Sequence, residues 1–326
     1  MSRNLLPLSL AAILMGGTAF AQVPQVAVDI APVHSLVARV MDGVGTPDLI
    51  VQPGASPHEY SLRPSEARAL QNADLVFWVS SGLTPWLTDT IETLASGAAV
   101  TELLEVDGTI ELPLRESPLF EAHIHEEHDD VAHEEHDEGA HNDHDSHDDH
   151  HDHGHEDAHD PHAWLSPNNA ISWLNVIAGQ LSAADPENAA AYFANAAAGR
   201  SEIQALIGEV NATLDPVRGE KFVVFHDAYQ YFETDFNFPA SGAISLSDAS
   251  DPSPARIAEI QARVGDEGIS CILTEPQFNP GLIDTVLNGT QSQTGILDPM
   301  GSDLELGSAL YPQLIRNLST ALAGCM

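Results

Sequence analysis

Basic residues are scarce in this chain of 326 residues: it has 11 Lys and Arg against 49 Asp and Glu, and a formal net charge of −38 at pH 7. A surface this acidic repels nucleic-acid phosphates and anionic lipid headgroups. We therefore expect no nucleic-acid partner and no charge-driven binding to an anionic membrane. The charge is concentrated between Glu121 and Asp160, where no Lys or Arg occurs.

Long apolar runs are also rare, and the one at the N-terminus has the features of a secretory signal. Arg3 precedes an apolar stretch at 5–20, and Ala19-Phe20-Ala21 matches a small-residue cleavage site. We predict a signal peptide at 1–21 and a mature chain that starts at Gln22. The rest of the sequence has no apolar run long enough to cross a bilayer.

Cysteine is nearly absent, with Cys271 and Cys325 as the two examples. In the oxidising compartment of an exported protein, so sparse a pair is most simply one disulfide. It would join the last predicted helix to a predicted strand. Two free buried thiols are the alternative.

Short apolar runs alternate with helical patterns along the chain. The first four runs are VAVDI, PDLIVQ, DLVFWVS and AAVTELL, and the last four are KFVVFH, SGAISLS, SCILTEP and TGILDPMG. Strands that alternate with helices indicate βαβ units. We predict an α/β fold of two lobes, each with a four-stranded, mostly parallel sheet that has helices on both faces.

Two segments interrupt this alternation. Residues 121–157 contain almost no large apolar side chains, and we expect a disordered loop rich in His and acidic residues. Residues 185–214 form a helical pattern that Asp185-Pro186 opens, and about thirty residues would span roughly 45 Å. We predict a rigid helix there, between an N-terminal lobe at 22–184 and a C-terminal lobe at 215–326.

Several polar residues fall where predicted strands end or helices begin. His58 follows the second strand, His162 precedes a helix, His226 ends the fifth strand, and Glu275 and Asp298 end the last two. Ligands of open parallel sheets bind beyond the carboxyl ends of the strands. Three imidazoles with one oxygen ligand suit tetrahedral Zn²⁺, whereas more oxygen ligands would suit Mn²⁺. The pattern predicts a metal site in the cleft between the lobes.

These segments also carry a family resemblance over nearly the whole mature chain. The motifs are GASPHEYSLRPSEARALQNADLVFWV, HDPHAWLSP, KFVVFHDAYQYF, TEPQF and GILDPMG. They resemble the periplasmic zinc-binding subunit of high-affinity bacterial zinc-uptake ABC transporters. The resemblance implies a monomeric periplasmic protein without catalytic activity. It would bind Zn(II) as the transported ligand and deliver it to a membrane permease that a cytoplasmic ATPase drives.

The resemblance assigns the metal ligands residue by residue. His58, His162 and His226 match the three metal histidines of the family. Asp298 is our first choice for the fourth ligand and Glu59 the second. A water molecule or a histidine of the 121–157 loop would also complete the set.

Other family features map onto this chain. Glu59, Asp227 and Glu275 are candidates to hold the ligating imidazoles from behind, because metal-bound histidines usually donate their other N–H to an oxygen. Cys271 and Cys325 match a disulfide found in some zinc-binding members. The long helix resembles the one that limits hinge closure in the family.

Twelve of the seventeen histidines lie among the acidic residues of the loop. Most of these imidazoles are neutral above pH ~6.5 and able to bind metal. The alternative is a solvated charged segment with no role. We predict weak auxiliary zinc binding by His123, His125, His128, His133, His136, His141, His144, His147, His150, His151, His153 and His155.

Two further histidine assignments and three alternative functions complete the prediction. His34 is interpreted as a helix-start residue, and His159 as the end of the loop. A manganese-binding subunit and a periplasmic zinc buffer or chaperone are the alternatives among binding proteins. A secreted zinc hydrolase is the enzyme alternative, although the sequence contains no G-x-S-x-G motif.

Overall fold

A computed structural model describes residues 23–115, 117, 120, 159–246, 253–277, 286, 290 and 292–326. The predicted signal peptide at 1–21 and the predicted His-rich loop at 121–157 lie outside these residues. In the part of the chain that the structure describes, no helix is long and apolar enough to cross a membrane.

The first lobe is built on a four-stranded parallel sheet of order β2-β1-β3-β4. Its strands are β1 (Val26–Val28), β2 (Asp48–Leu49), β3 (Leu75–Trp78) and β4 (Ala99–Glu102). The helices between them are α1 (Ala31–Val40), α2 (Pro64–Asn72) and α3 (Leu87–Leu94). Proline at the first position of α2 and at the second position of α1 favours helix initiation there.

The second lobe repeats this topology, with strand order β6-β5-β7-β8. Its strands are β5 (Phe222–His226), β6 (Ala243–Ser245), β7 (Cys271–Thr274) and β8 (Gln293–Ile296). Its described helices include α6 (Gln230–Phe236), α7 (Pro254–Glu267) and α8 (Leu310–Cys325). All eight predicted apolar runs contain a strand, and the predicted fold class is confirmed.

The predicted long helix is also present, although its first turn differs. After α4 (Pro167–Ala184), residues Pro186–Asn188 form a 3-10 turn, and α5 then runs over Ala189–Leu214. Its 26 residues span roughly 39 Å. Asp185 is fully buried and accepts a hydrogen bond from the Tyr192 hydroxyl at 2.9 Å, which holds this turn against α5.

One apolar core runs through both lobes. It includes Val28 of β1, Leu174 of α4, Leu206 of α5, Val224 of β5 and Leu314 of α8, all at most 1% exposed. Helix α5 packs against α1, α4 and α8, so it contributes to the core of each lobe. Smaller apolar clusters cover the outer faces of the two sheets. The lobes are therefore fused through their inner layers.

The disulfide predicted between Cys271 of β7 and Cys325 of α8 is present, with their Cα atoms 5.7 Å apart. Gly295 of β8 lies beside it. A Cβ atom at Gly295 would approach Leu273 Cδ2 to 3.0 Å and Cys325 Cβ to 3.3 Å. Glycine at this position therefore leaves the room that the bridge needs to fasten α8 to the sheet.

Replacing both cysteines by alanine should lower the free energy of unfolding by about 2–4 kcal/mol, because the bridge restricts the unfolded chain. Urea unfolding of oxidised wild type and of the double variant measures the difference. Reductant should destabilise the wild type by a similar amount and leave the variant unchanged. A variant as stable as the oxidised wild type would contradict the prediction.

A buried carboxylate joins the ends of β1 and β3. Asp29 is 1% exposed, and its two oxygens accept hydrogen bonds from the Ile30 and Val79 amides, each at 2.7 Å. Burial raises the pKa of Asp29 from 3.8 to about 7, against the opposing effect of these hydrogen bonds. The folded state therefore holds this proton more tightly than the unfolded state.

This pKa shift has a defined effect on stability. The contribution of Asp29 is complete below pH 3.8 and is lost as the pH rises to about 7. Asp29→Asn should remove this component, so that the variant loses less stability than wild type between pH 4 and pH 7. Urea unfolding of zinc-free protein across this range tests it, with the exposed Asp42→Asn as control. Parallel pH profiles for wild type and Asp29→Asn would sink the prediction.

Candidate metal centre

Three of the predicted ligands line one small cavity between the lobes. His58 comes from the loop after β2, His162 from the segment before α4, and His226 from the last position of β5. Asp298, in the loop after β8, lines the same cavity. Its volume is about 20 Å³, which is enough for one ion or one water molecule.

The three imidazole rings lie edge to face around this cavity. The ring centroids of His58 and His162 are 5.5 Å apart, and those of His162 and His226 are 5.3 Å apart. Among the described residues, no three His, Cys, Asp or Glu side chains already form a group that holds a metal ion. A bound ion would therefore have to draw these rings closer together.

His226 is oriented by a carboxylate on the neighbouring strand. Its Nδ1 lies 2.5 Å from Glu275 Oε1, and both side chains are at most 3% exposed. His226 is the last residue of β5, and Glu275 directly follows β7. The strand order of the sheet reverses between these two strands, which is where such sheets bind ligands. This contact orients the ring of His226 through Nδ1, so that Nε2 is the nitrogen that would bind a metal.

His162 has an equivalent partner that the sequence analysis missed. Its Nδ1 lies 2.7 Å from Asp160 Oδ1, and its backbone amide donates to the same oxygen at 3.0 Å. Burial raises the pKa of Asp160 to about 7, although the His162 amide and the Arg115 charge oppose the shift. The signal was the Asp-x-His spacing in the motif HDPHAWLSP.

The loop that carries His58 is held by a neighbouring aromatic residue. Trp86, just before α3, donates its indole N–H to the Pro57 carbonyl at 2.8 Å. The ring of Tyr60 lies 5.6 Å from that of Trp86. The backbone on both sides of His58 is therefore fixed, while its side chain stays half-buried near the solvent.

Asp298 has a structural role in its own loop. Its Oδ1 accepts from the Met300 and Gly301 amides at 2.9 and 3.0 Å, and its Oδ2 accepts from the Ser302 amide and hydroxyl at 2.6 and 2.7 Å. These four bonds use the roughly four acceptor positions of a carboxylate. To bind a metal, Asp298 would have to give up some of them. Glu59, the second choice, is exposed and lies outside the residues that line the cavity.

Asp227, the remaining candidate to support an imidazole, forms an ion pair. Arg115 donates to Asp227 Oδ1 at 2.9 Å. Burial raises the pKa of Asp227 to about 7, and the Arg115 charge opposes this shift. This contact could not be predicted from the sequence, because the two residues are 112 positions apart.

The two remaining described histidines lie outside the cavity. His34 is buried in α1, and its Nε2 is 3.0 Å from the Pro47 carbonyl oxygen. His159 forms an isolated antiparallel bridge with Pro113, and its Nδ1 lies 3.3 Å from Glu111 Oε2. Both positions agree with the structural roles expected for them.

Comparison with known proteins identifies the family. Residues 26–325 match the family described as "Zinc-uptake complex component A periplasmic", ZnuA. The chain belongs to the ZnuA family. It is 47% identical over 304 residues to the high-affinity zinc uptake system protein ZnuA of Brucella abortus, covering 92% of this chain and 91% of the relative. The ZnuA of Paracoccus denitrificans is 44% identical over 308 residues, covering 94% and 93%. The family resemblance of the sequence motifs is confirmed.

Solved structures agree with the fold. A crystal structure of ZnuA superposes with a TM-score of 0.71 at 18% identity, covering 93% of this chain and 99% of that one. A manganese-bound periplasmic metal-binding protein from Candidatus Liberibacter asiaticus gives 0.69 at 19% identity, covering 92% and 98%. Because zinc-bound and manganese-bound structures share this fold, the fold alone does not select the ion.

Glu275→Gln should weaken zinc binding about 10–100-fold, the usual cost of losing an outer partner of a ligating histidine. The amide keeps the size of the side chain but removes the charge that strengthens His226 as a ligand. Competition with a chromophoric chelator measures the affinity. Exposed Glu59→Gln is the control and should bind as wild type does. Wild-type affinity in Glu275→Gln would contradict the role given to Glu275.

Proposed function

We propose that this chain is an exported zinc-binding protein that captures Zn²⁺ in the periplasm and delivers it to an ABC permease. The signal peptide is cleaved after Ala21, and the mature protein acts as a monomer. A cytoplasmic ATPase drives the permease. Zn²⁺ is the cargo, and no reaction is catalysed.

The observation that carries this proposal is the set of three imidazoles around a cavity the size of one ion. His58, His162 and His226 bring three neutral nitrogen ligands from both lobes, a set that suits Zn²⁺ with Zn–N distances near ~2.0–2.1 Å. High identity to zinc-uptake proteins over almost the full chain supports the same ion.

The donor set favours zinc over manganese. Mn²⁺ prefers several oxygen ligands. Asp298, the carboxylate that lines the cavity, already accepts four hydrogen bonds within its loop. We infer that the three histidines are the protein ligands. Water completes the tetrahedron.

A zinc hydrolase of the H-E-x-x-H type would need that motif on a helix. The segment HEDAH at 155–159 does have the H-E-x-x-H spacing. That motif binds zinc from one face of a helix, and His159 lies in an antiparallel bridge with Pro113, not in a helix. The motif therefore gives no support to hydrolysis.

The function of the His-rich segment is assigned as auxiliary. A pure zinc buffer would need only the many weak ligands at 123–155. The folded cavity, with carboxylates behind two of its three imidazoles, favours a specific carrier.

Zinc stoichiometry and affinity should separate these roles. The mature protein and a version lacking 121–157 are both expected to hold one tight zinc ion, and the deletion should lose only weak sites. In the deleted background, His58→Ala should weaken the tight site by more than ~100-fold, beyond the usual effect of an outer partner. His159→Ala, outside the cavity, is the control.

Two results would contradict the proposal. Loss of tight binding on deletion would mean that the loop supplies an essential ligand. Turnover of ester or peptide substrates by the zinc-loaded protein would overturn the assignment as a carrier.

A further inference from the structure

Arg115 connects the two lobes beside the metal cavity. It precedes the His-rich segment, and its Nη2 donates to Glu233 Oε2 of α6 at 2.7 Å while its Nη1 donates to Asp227 Oδ1 at 2.9 Å. The three side chains are only 19%, 4% and 6% exposed. The ring of Phe120 covers the guanidinium at 3.9 Å. This arrangement is a buried, forked ion pair rather than a surface contact.

Helix α6 is also hydrogen-bonded to the segment that carries His162. The Tyr231 hydroxyl of α6 donates to the Asp160 carbonyl at 2.9 Å and accepts from the Leu112 amide at 3.1 Å. Ser166 donates to Asp235 of α6 at 2.8 Å. Helix α6 therefore contacts the chain on both sides of the insertion.

The contact between α6 and these segments lies between His162 and His226, two of the proposed ligands. His226 is the residue before Asp227, one partner of Arg115. His162 is held by Asp160, whose carbonyl is bound to α6. A change in the position of α6 relative to these segments would alter the distance between the His162 and His226 rings, now 5.3 Å.

The negative charge of the neighbouring carboxylates is a second reason for an arginine at position 115. Asp160, Asp227 and Glu233 are all buried, and they surround one guanidinium. Removing one partner of a buried ion pair leaves the others uncompensated. Lysine would keep the charge, but one ammonium group does not reproduce the forked geometry that reaches two carboxylates.

We propose that Arg115 is a positioning residue for the zinc site, which holds α6 against the His162 segment so that His162 and His226 remain close enough to share one ion. Arg115 touches neither ring and acts through Asp227, Glu233 and the backbone. Its contribution is to slow zinc dissociation. This inference rests on the proposed function.

The test compares Arg115→Met and Arg115→Lys with wild type in the mature full-length chain. Zinc affinity is measured by chelator competition, the dissociation rate by stopped flow with excess chelator, and ligand geometry by the visible absorption of the Co²⁺-substituted protein. We expect Arg115→Met to bind zinc about 10-fold or more weakly, in the range of other outer partners. The loss should appear mainly as faster dissociation, with altered Co²⁺ bands, and Arg115→Lys should be intermediate.

A matched control is Arg263→Met on α7. Arg263 is also 19% exposed and pairs with Glu267, but within one helix of the outer layer. The Arg263→Met substitution should lower the stability of the protein without changing the zinc dissociation rate or the Co²⁺ spectrum. A double-mutant cycle with Glu233→Gln should show coupling with Arg115→Met, because both changes break the same contact.

The outcomes are separable. If wild type holds no tight zinc ion, the proposed function fails. If wild type binds tightly and folded Arg115→Met and Arg115→Lys match its dissociation rate and Co²⁺ spectrum, the role of Arg115 is wrong. If Arg115→Met does not fold, Arg115→Lys alone decides, and wild-type behaviour in that variant overturns the inference.

Discussion

The metal centre depends on the hydrogen bonds that two buried carboxylates make to imidazole Nδ1 atoms. Asp160 and Glu275 fix the rings of His162 and His226, so that Nε2 of each ring is left for an ion. A histidine without such a partner would rotate and would present either nitrogen. The carboxylates also place negative charge behind the ligands, which favours the bound cation. His58 is held differently, through the backbone of its loop, and remains the most accessible of the three.

The architecture around this centre combines a fixed site with limited domain movement. Because one apolar core extends through α4, α5 and α8 into both sheets, wide separation of the lobes would expose apolar surface at about 25 cal/mol per Å². The loops after β2 and β8, which carry His58 and Asp298, also pack against this core, through Ala55 and Met300.

The sequence predicted the parts of the fold that depend on local pattern. Alternating strand and helix signals gave all eight strands, and the position of His226 at a strand end followed from the apolar run before it. Asp160 was missed because a carboxylate two residues from a histidine is common in loops and does not reveal a hydrogen bond. Arg115 was missed because its partners are 112 and 118 positions away. Asp298 shows a further limit, since a carboxylate that organises a loop and one that binds a metal look alike in sequence.

The antiparallel bridge between Pro113 and His159 brings the two ends of the His-rich insertion together at the edge of the fold. The entropic cost of closing a loop grows only with the logarithm of its length, about 0.6 kcal/mol for each doubling. A change in the number of residues between positions 121 and 157 would therefore cost the fold little, and the length of the insertion is separable from the ligands of the cavity.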